Sequence, residues 1–361
     1  MVIQELRKIF WKRKLLLALA LVLLFEGLLA WRGADGIFSS TQDKRVYMDL
    51  LQSYAGDLTP EKRERLDQEL ETYEKAQELM VQAEEQYQNG ELTSEGFDAR
   101  TAELAPYRAN LAARSDFAEA ARYAEAKPGR TLVNQLAWNE LYDTDRVDFL
   151  LSVLLILFAI LAFVSEDETD FRQIKQTTVH GKKAVYRIDA VLGVALAVLS
   201  ISLTSLFRWL AAGSLLDTGS TNAPLDSLKI FENSPFSNLS LAEGYLLATG
   251  LKAVGYTAFV CLCFLFGQWF RSALTVSLAG LLTVLLPPYM LKAPARYYCS
   301  PVSLMLSVGF LRGDVYVDLG GSGFWESRAA GKPALWISLS AAVILILLAF
   351  FTLGKREGKK R

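Results

Sequence analysis

The sequence predicts an all-α membrane protein: six transmembrane helices, with an antiparallel helical hairpin domain carried outside the bilayer. Three observations lead there. Hydrophobic residues fill 52% of 361 positions and charged residues still 21%, yet the two classes are sorted into separate runs, with one near-continuous polar block at 32–147. The apolar runs each approach the roughly 20 residues that a helix needs to cross hydrocarbon. Runs such as LLLALALVLL and LLILFAILAF lack the alternation of barrel strands, and lipid tolerates no unpaired backbone, so the runs are read as helices.

Residues 1–14 open the chain. Val2, Leu6, Ile9 and Phe10 share one helical face, with cations such as Arg7 and Lys8 opposite. That pattern suits an amphipathic helix lying in the membrane interface, and a plain basic topology anchor would read the same way. The first span, 15–31, follows Lys12, Arg13 and Lys14. A signal peptide shares this basic start. The longer apolar run, the later spans and the lack of a small-x-small site favour a retained helix.

Further spans are placed at 147–164, 190–212, 245–266, 273–290 and 334–353, with Arg271 in a short turn between the fourth and fifth and Pro287-Pro288 ending or kinking the fifth. Trp31, Trp209, Trp269 and Trp336 near span ends fit an interfacial aromatic belt. Both termini are basic, including the tail 354–361. An even number of spans puts them on one side, and short basic flanks prefer the cytoplasm. A multi-pass protein of the bacterial plasma membrane with cytoplasmic N and C termini follows. The loop 165–189 then faces inward, and 32–146, 213–244 and 291–333 face outward.

In the outer block, Thr59 and Pro60 supply an N-cap and a first helical residue. Leu66, Tyr73, Met80 and Tyr87 recur at seven, with Leu70 beside them. Asn89-Gly90 marks a turn, and Phe97, Leu104, Leu111 and Ala118 repeat the spacing on a return helix that Pro106 bends or interrupts. Two striped helices joined by a short turn predict a hairpin with facing stripes. Lys127-Pro128-Gly129 ends it, and Leu132, Leu136 and Trp138 pack the next segment onto the hairpin base or the membrane surface. The unit reads equally as a sensor, gate or docking arm and as a self-packed spacer.

On the inner face, Glu166, Asp167, Glu168 and Asp170 precede Arg172, Lys175, Lys182, Lys183 and Arg187. This clustering predicts a docking surface for a soluble partner, against the plainer reading of a solvated loop. Inside the spans, Glu26 and Lys252 are ionisable groups in the outer halves of their helices, where such groups face a bundle interior, a cavity or the interface; Lys252 could reach the outer headgroups, or the two could pair. Gly193, Gly244, Gly250, Gly255 and Gly280 permit close helix approach. The segment from Pro301 to Leu311 is expected to be re-entrant or partly helical, at an outer vestibule or a dimer contact. An ion-coupled carrier would need a series of buried acidic groups, which these spans lack.

Several chemistries are disfavoured. Thirty-eight basic residues against 39 acidic ones argue against a broadly basic nucleic-acid binder. Cys261 and Cys263 stand in an apolar run, Cys299 lies elsewhere, and His180 is the only histidine, so neither a metal site nor a catalytic residue is assigned. No G-x-x-x-x-G-K-[ST] phosphate loop occurs.

The order of these features resembles the permease subunit of ABC-2 type ABC transporters, over essentially the whole chain. ELRKIFWKRK is similar to the family's elbow helix, and Leu6, Arg7, Lys8 and Phe10 take that place. FVSEDETDFRQIKQTTVHGKKAVYRID looks like its cytoplasmic coupling segment. There Glu166 falls where a glutamate typically begins, and Lys182 and Lys183 near its usual basic position. The common glycine soon after the glutamate is absent, with Asp170 in that neighbourhood. The charged hairpin resembles the external domain of permeases from Firmicutes. The resemblance implies two permease subunits, as a homodimer or heterodimer, assembled in membrane lipid with ABC ATP-binding subunits. Those partners would hold ATP and Mg, and this chain would bind no cofactor. ATPase coupling would fall to Glu166, Asp167, Glu168, Arg172, Lys175, Lys182 and Lys183, and the cargo would be hydrophobic, lipid-like or a peptide antibiotic. The alternative is a membrane receptor or scaffold using the external hairpin to bind a ligand or partner.

Overall fold

The computed structural model describes residues 10–11, 14–56, 58–102, 104–105, 110–142, 148–164, 181–270, 272–285, 300–312, 315–318, 323–326 and 331–352. Helices dominate them. A bundle is formed by α1 (Leu15–Asp35), α7 (Phe149–Ala159, continued by a π turn at Ile160–Val164), α8 (Gly181–Leu216), α9 (Leu241–Phe270), α10 (Ala273–Leu285) and α12 (Gly331–Thr352). Four of these, α1, α8, α9 and α12, contain stretches long and apolar enough to cross a membrane, and α7 and α10 are shorter apolar helices.

The central member is α9. Its Tyr256, Phe259, Val260, Cys263 and Phe264 are fully buried, against Leu155 and Phe158 of α7 and Leu196 and Ala197 of α8. In contrast α1 and α12 turn Leu21, Leu24, Leu28, Ile344, Leu347 and Phe351 outward. An exposed apolar surface of this extent suits lipid and not water. Trp31, Trp269 and Trp336 are likewise exposed, as a belt requires. Trp209 is not. It packs edge-on against Trp138, and its ring also meets Tyr245, so tertiary stacking and not the interface holds it.

Between α1 and α7 lies a helical arm. It comprises α2 (Thr41–Tyr54), α3 (Pro60–Gln88), α4 (Ser94–Ala102) and α5 (Leu111–Glu125), and α6 (Gln135–Tyr142) leads back to the bundle. The sequence reading missed α2, although its signals were present. Ser40 Oγ accepts from the Asp43 N–H at 3.0 Å, and the Asp43 carboxylate accepts from both Ser39 and Ser40 hydroxyls at 2.7 Å. Tyr47 and Leu51 then repeat at the helical spacing and are buried. Ser40→Ala should cost the arm about 1 kcal/mol, visible as a lower unfolding midpoint of its helical signal.

The stripe on α3 is buried at Leu66, Leu70 and Tyr73, but Tyr87 at its end is exposed. Among the described residues the return comprises two helices, α4 and α5. Pro106 lies outside the described residues; beyond it Leu111 is exposed, while Ala118 of the predicted stripe is buried together with Ala113, Phe117, Ala120, Ala121 and Ala124. The heptad from Phe97 thus holds at Ala118 and fails at Leu111, and α5 packs on α2 as well as on α3. Arg100–Gln86, Arg114–Glu69 and Arg122–Glu74 contacts tie the return to α3.

The arm is fastened to residues 217–240. Lys127 pairs with Asp226 at 2.9 Å and Arg130 with Glu232 at 3.0 Å. The Thr131 N–H donates to Ser227 Oγ at 3.1 Å, and Tyr123 OH to the Asp226 carbonyl at 3.0 Å. Leu132 enters the arm's core while Trp138 enters an aromatic core with Tyr142, Phe231 and Tyr245.

One feature amends the all-α expectation. Val315–Asp318 (β1) and Gly323–Glu326 (β2) pair antiparallel, Val315 opposite Glu326. Residues 301–311 form a 3-10 turn (Pro301–Leu306) and a short helix, α11 (Val308–Leu311), both packed on α9 and α12. Leu304, Met305, Val308 and Leu311 are fully buried there, so within this chain the segment is core and not an open dimer contact.

Candidate functional site

Four bundle helices each bring one ionisable side chain to a common point. Glu26 comes from α1, Asp148 from the N-cap position of α7, Arg208 from α8 and Lys252 from α9. Asp148 is the hub. Its carboxylate meets Lys252 Nζ at 2.8 Å through one oxygen and Arg208 Nη2 at 2.7 Å through the other. Arg208 Nη2 also reaches Glu26 at 3.6 Å. Tyr256 of α9 completes the anchor: its hydroxyl accepts from the Asp148 N–H at 2.9 Å, and Ser152 Oγ donates to the Asp148 carbonyl at 3.0 Å.

The expected pairing of Glu26 with Lys252 is thus indirect. The two stand at opposite ends of a chain, Glu26–Arg208–Asp148–Lys252. Both inner members were missed from the sequence. Each lies inside the limits set for an apolar span, at 148 in 147–164 and at 208 in 190–212, and that was the available signal. The four charges sum to zero, which is what burial demands: an isolated ion in an apolar interior costs several kcal/mol, and a compensated set much less.

A cavity of about 340 Å³ opens beside the chain. Its polar walls are Glu26, Asp148, Arg208 and Glu140, and its apolar walls include Leu29, Ala30, Phe149 and Leu150. Leu29 and Phe149 are about half exposed, so the mouth is apolar while the floor is ionic.

Of the other residues singled out from sequence, Leu6, Arg7, Lys8, Glu166, Asp167, Glu168, Arg172 and Lys175 lie outside the described residues. Phe10 is half-buried against the bundle core near Leu15 and Leu19. Lys182 and Lys183 stand in the first turn of α8. Cys261 and Cys263 are free and buried, and no group of metal-ligating side chains occurs among the described residues. Of the five glycines, Gly250 has open space where a Cβ would stand, whereas Gly193, Gly244, Gly255 and Gly280 are each closely faced by another segment.

The fold and this site define a helical protein with four helices long and apolar enough to span a membrane and a buried, charge-neutral ion-pair chain within the bundle. No family model, curated protein or solved structure matches the chain.

Proposed function

We propose that this chain is the permease subunit of an ABC-2 type ABC transporter, moving a hydrophobic, lipid-like or peptide-antibiotic cargo while a separate subunit hydrolyses ATP. In this reading the six apolar segments all span the bacterial plasma membrane, both termini are cytoplasmic and the helical arm is extracellular. A second permease subunit completes the pathway, and the ATP-binding subunits dock on 165–189.

The supporting observation is the continuity of α8. It runs unbroken for 36 residues from Gly181, inside the proposed coupling segment, to Leu216. At 1.5 Å per residue, Lys183 and Arg208 are about 38 Å apart along one rod. A push at the inner end would reach the ion-pair chain without a hinge. There Arg208 contacts two other helices, so its displacement would repartition Glu26 and Asp148 between alternative arrangements. Such a two-arrangement element is what coupling between distant sites requires.

Purification in mild detergent, with associated proteins identified by mass spectrometry, tests this reading. A stoichiometric ATPase is expected, and its reproducible absence would sink the proposal. Charge reversal of Glu166, Asp167 and Glu168 to lysine should weaken that association by about tenfold, about 1.4 kcal/mol, or uncouple ATP hydrolysis from transport. Unchanged assembly and coupling would defeat the docking role.

A further inference from the structure

The cavity beside the ion-pair chain has a composition that the coupling role does not use. Arg208 makes both of its ion pairs through Nη2, to Asp148 and Glu26. Its Nε and Nη1 therefore remain without a partner among the described residues, and the guanidinium lines the cavity. Glu26 is 7% exposed and lines the same cavity. Its one partner among the described residues is Arg208, at 3.6 Å, beyond hydrogen-bond reach. A nearly buried carboxylate with unfilled acceptor positions thus stands beside a guanidinium with unfilled donors.

The complementary ligand carries an anion and a cation close together. An anion alone would meet Arg208 but face Glu26 and Glu140, and an amine alone would meet those carboxylates and leave the arginine's donors idle. The rim adds a second requirement. Leu29 and Phe149 are exposed at the mouth, continuous with the exposed Leu24, Phe25 and Leu28 of α1. The cavity also sits where Gly33 and Ala34 near the end of α1, Phe149 at the start of α7 and Ala212 near the end of α8 converge. This is one shared end of three bundle helices, close to the level of lipid headgroups.

We infer that this cavity binds a zwitterionic phospholipid from the surrounding bilayer, its phosphate on Arg208, its ammonium on Glu26, and an acyl chain along Leu29 and Phe149. The inference rests on the membrane placement in the reading above and not on coupling to an ATPase. It stands or falls separately from the co-purification result.

Native mass spectrometry of the full chain, presented with phosphatidylethanolamine, phosphatidylglycerol, diacylglycerol or soluble phosphoethanolamine, provides the test. Phosphatidylethanolamine should be retained at least about tenfold better than the other two lipids. Phosphoethanolamine should bind about tenfold more weakly than the lipid, because it leaves the apolar rim uncovered. Arg208 itself is a poor probe, since its loss also strips Asp148 of a partner. Ala30, half-buried one turn beyond Glu26, lines the cavity without joining the ion pairs, so Ala30→Trp fills the cavity and keeps all four charged side chains. It should abolish the preference with an unchanged unfolding midpoint. Equal retention of phosphatidylglycerol, equal binding of phosphoethanolamine, or a wild-type preference in Ala30→Trp would each overturn the assignment.

Discussion

Asp148→Ala is expected to destabilise the bundle more than any other single change at the site, by about 3–5 kcal/mol. The reason lies in what remains. Lys252 is 3% exposed and has its ion pair with Asp148 at 2.8 Å, so truncating the aspartate leaves an ammonium buried without its counter-charge. Arg208 loses its shorter pair at the same time and keeps only Glu26 at 3.6 Å. The effect would be read as a fall in the midpoint of denaturant-induced unfolding in detergent. Asp148→Ala combined with Lys252→Met should recover most of the loss, because removing both partners leaves no uncompensated ion. Glu26→Gln should cost less, about 1 kcal/mol, since its pair to Arg208 is long at 3.6 Å and the neutral amide no longer carries a charge out of water. A double variant as unstable as the single one would show that the hub acts through Arg208 alone.

That ranking exposes what the sequence made legible. Glu26 and Lys252 stand out because each is a single charge within a long apolar run. Asp148 and Arg208 are just as chemically conspicuous, but each lies within four residues of a span limit, where a charge reads as an ordinary boundary residue. Only the tertiary fold, in which α7 begins at Asp148 while α8 continues past Arg208 to Leu216, brings those two apparent ends to one point. The helical arm shows the same division. Thr59-Pro60 and Asn89-Gly90 mark the two ends of α3, because capping and turn chemistry are local. The register of α5 was legible only in part: Ala118 is buried where the heptad places it, whereas Leu111 is exposed. The pairing of Val315–Asp318 with Gly323–Glu326 was signalled by alternation around a glycine-rich stretch, but inside a region read as loop it carried no weight.

The second large effect is expected at Gly255. A Cβ there would stand 2.6 Å from the Met305 backbone nitrogen and 2.8 Å from the Leu304 carbonyl carbon. Both are main-chain atoms of the buried 301–311 segment, which also rests on α12 through the Ser303–Ser338 hydroxyl contact at 3.2 Å. No side-chain rotation relieves such an overlap. Gly255→Ala must push the segment off α9 and should cost about 2–3 kcal/mol. Gly250→Ala, five residues earlier on the same helix, meets nothing within 4 Å. It should be neutral or stabilising by up to about 1 kcal/mol, because alanine favours the helix. The pair is a controlled comparison, since chemistry and helix are the same and only the neighbour differs. Gly193→Ala falls between them, as its Cβ would meet the Phe264 and Phe158 rings and not backbone. Unfolding midpoints of the three variants in one detergent would test the order. If Gly255→Ala matched Gly250→Ala, residues 301–311 would not be packed against α9. The fully buried Leu304 and Met305 would then need another home, because neither can be left facing water without losing the burial that now holds them.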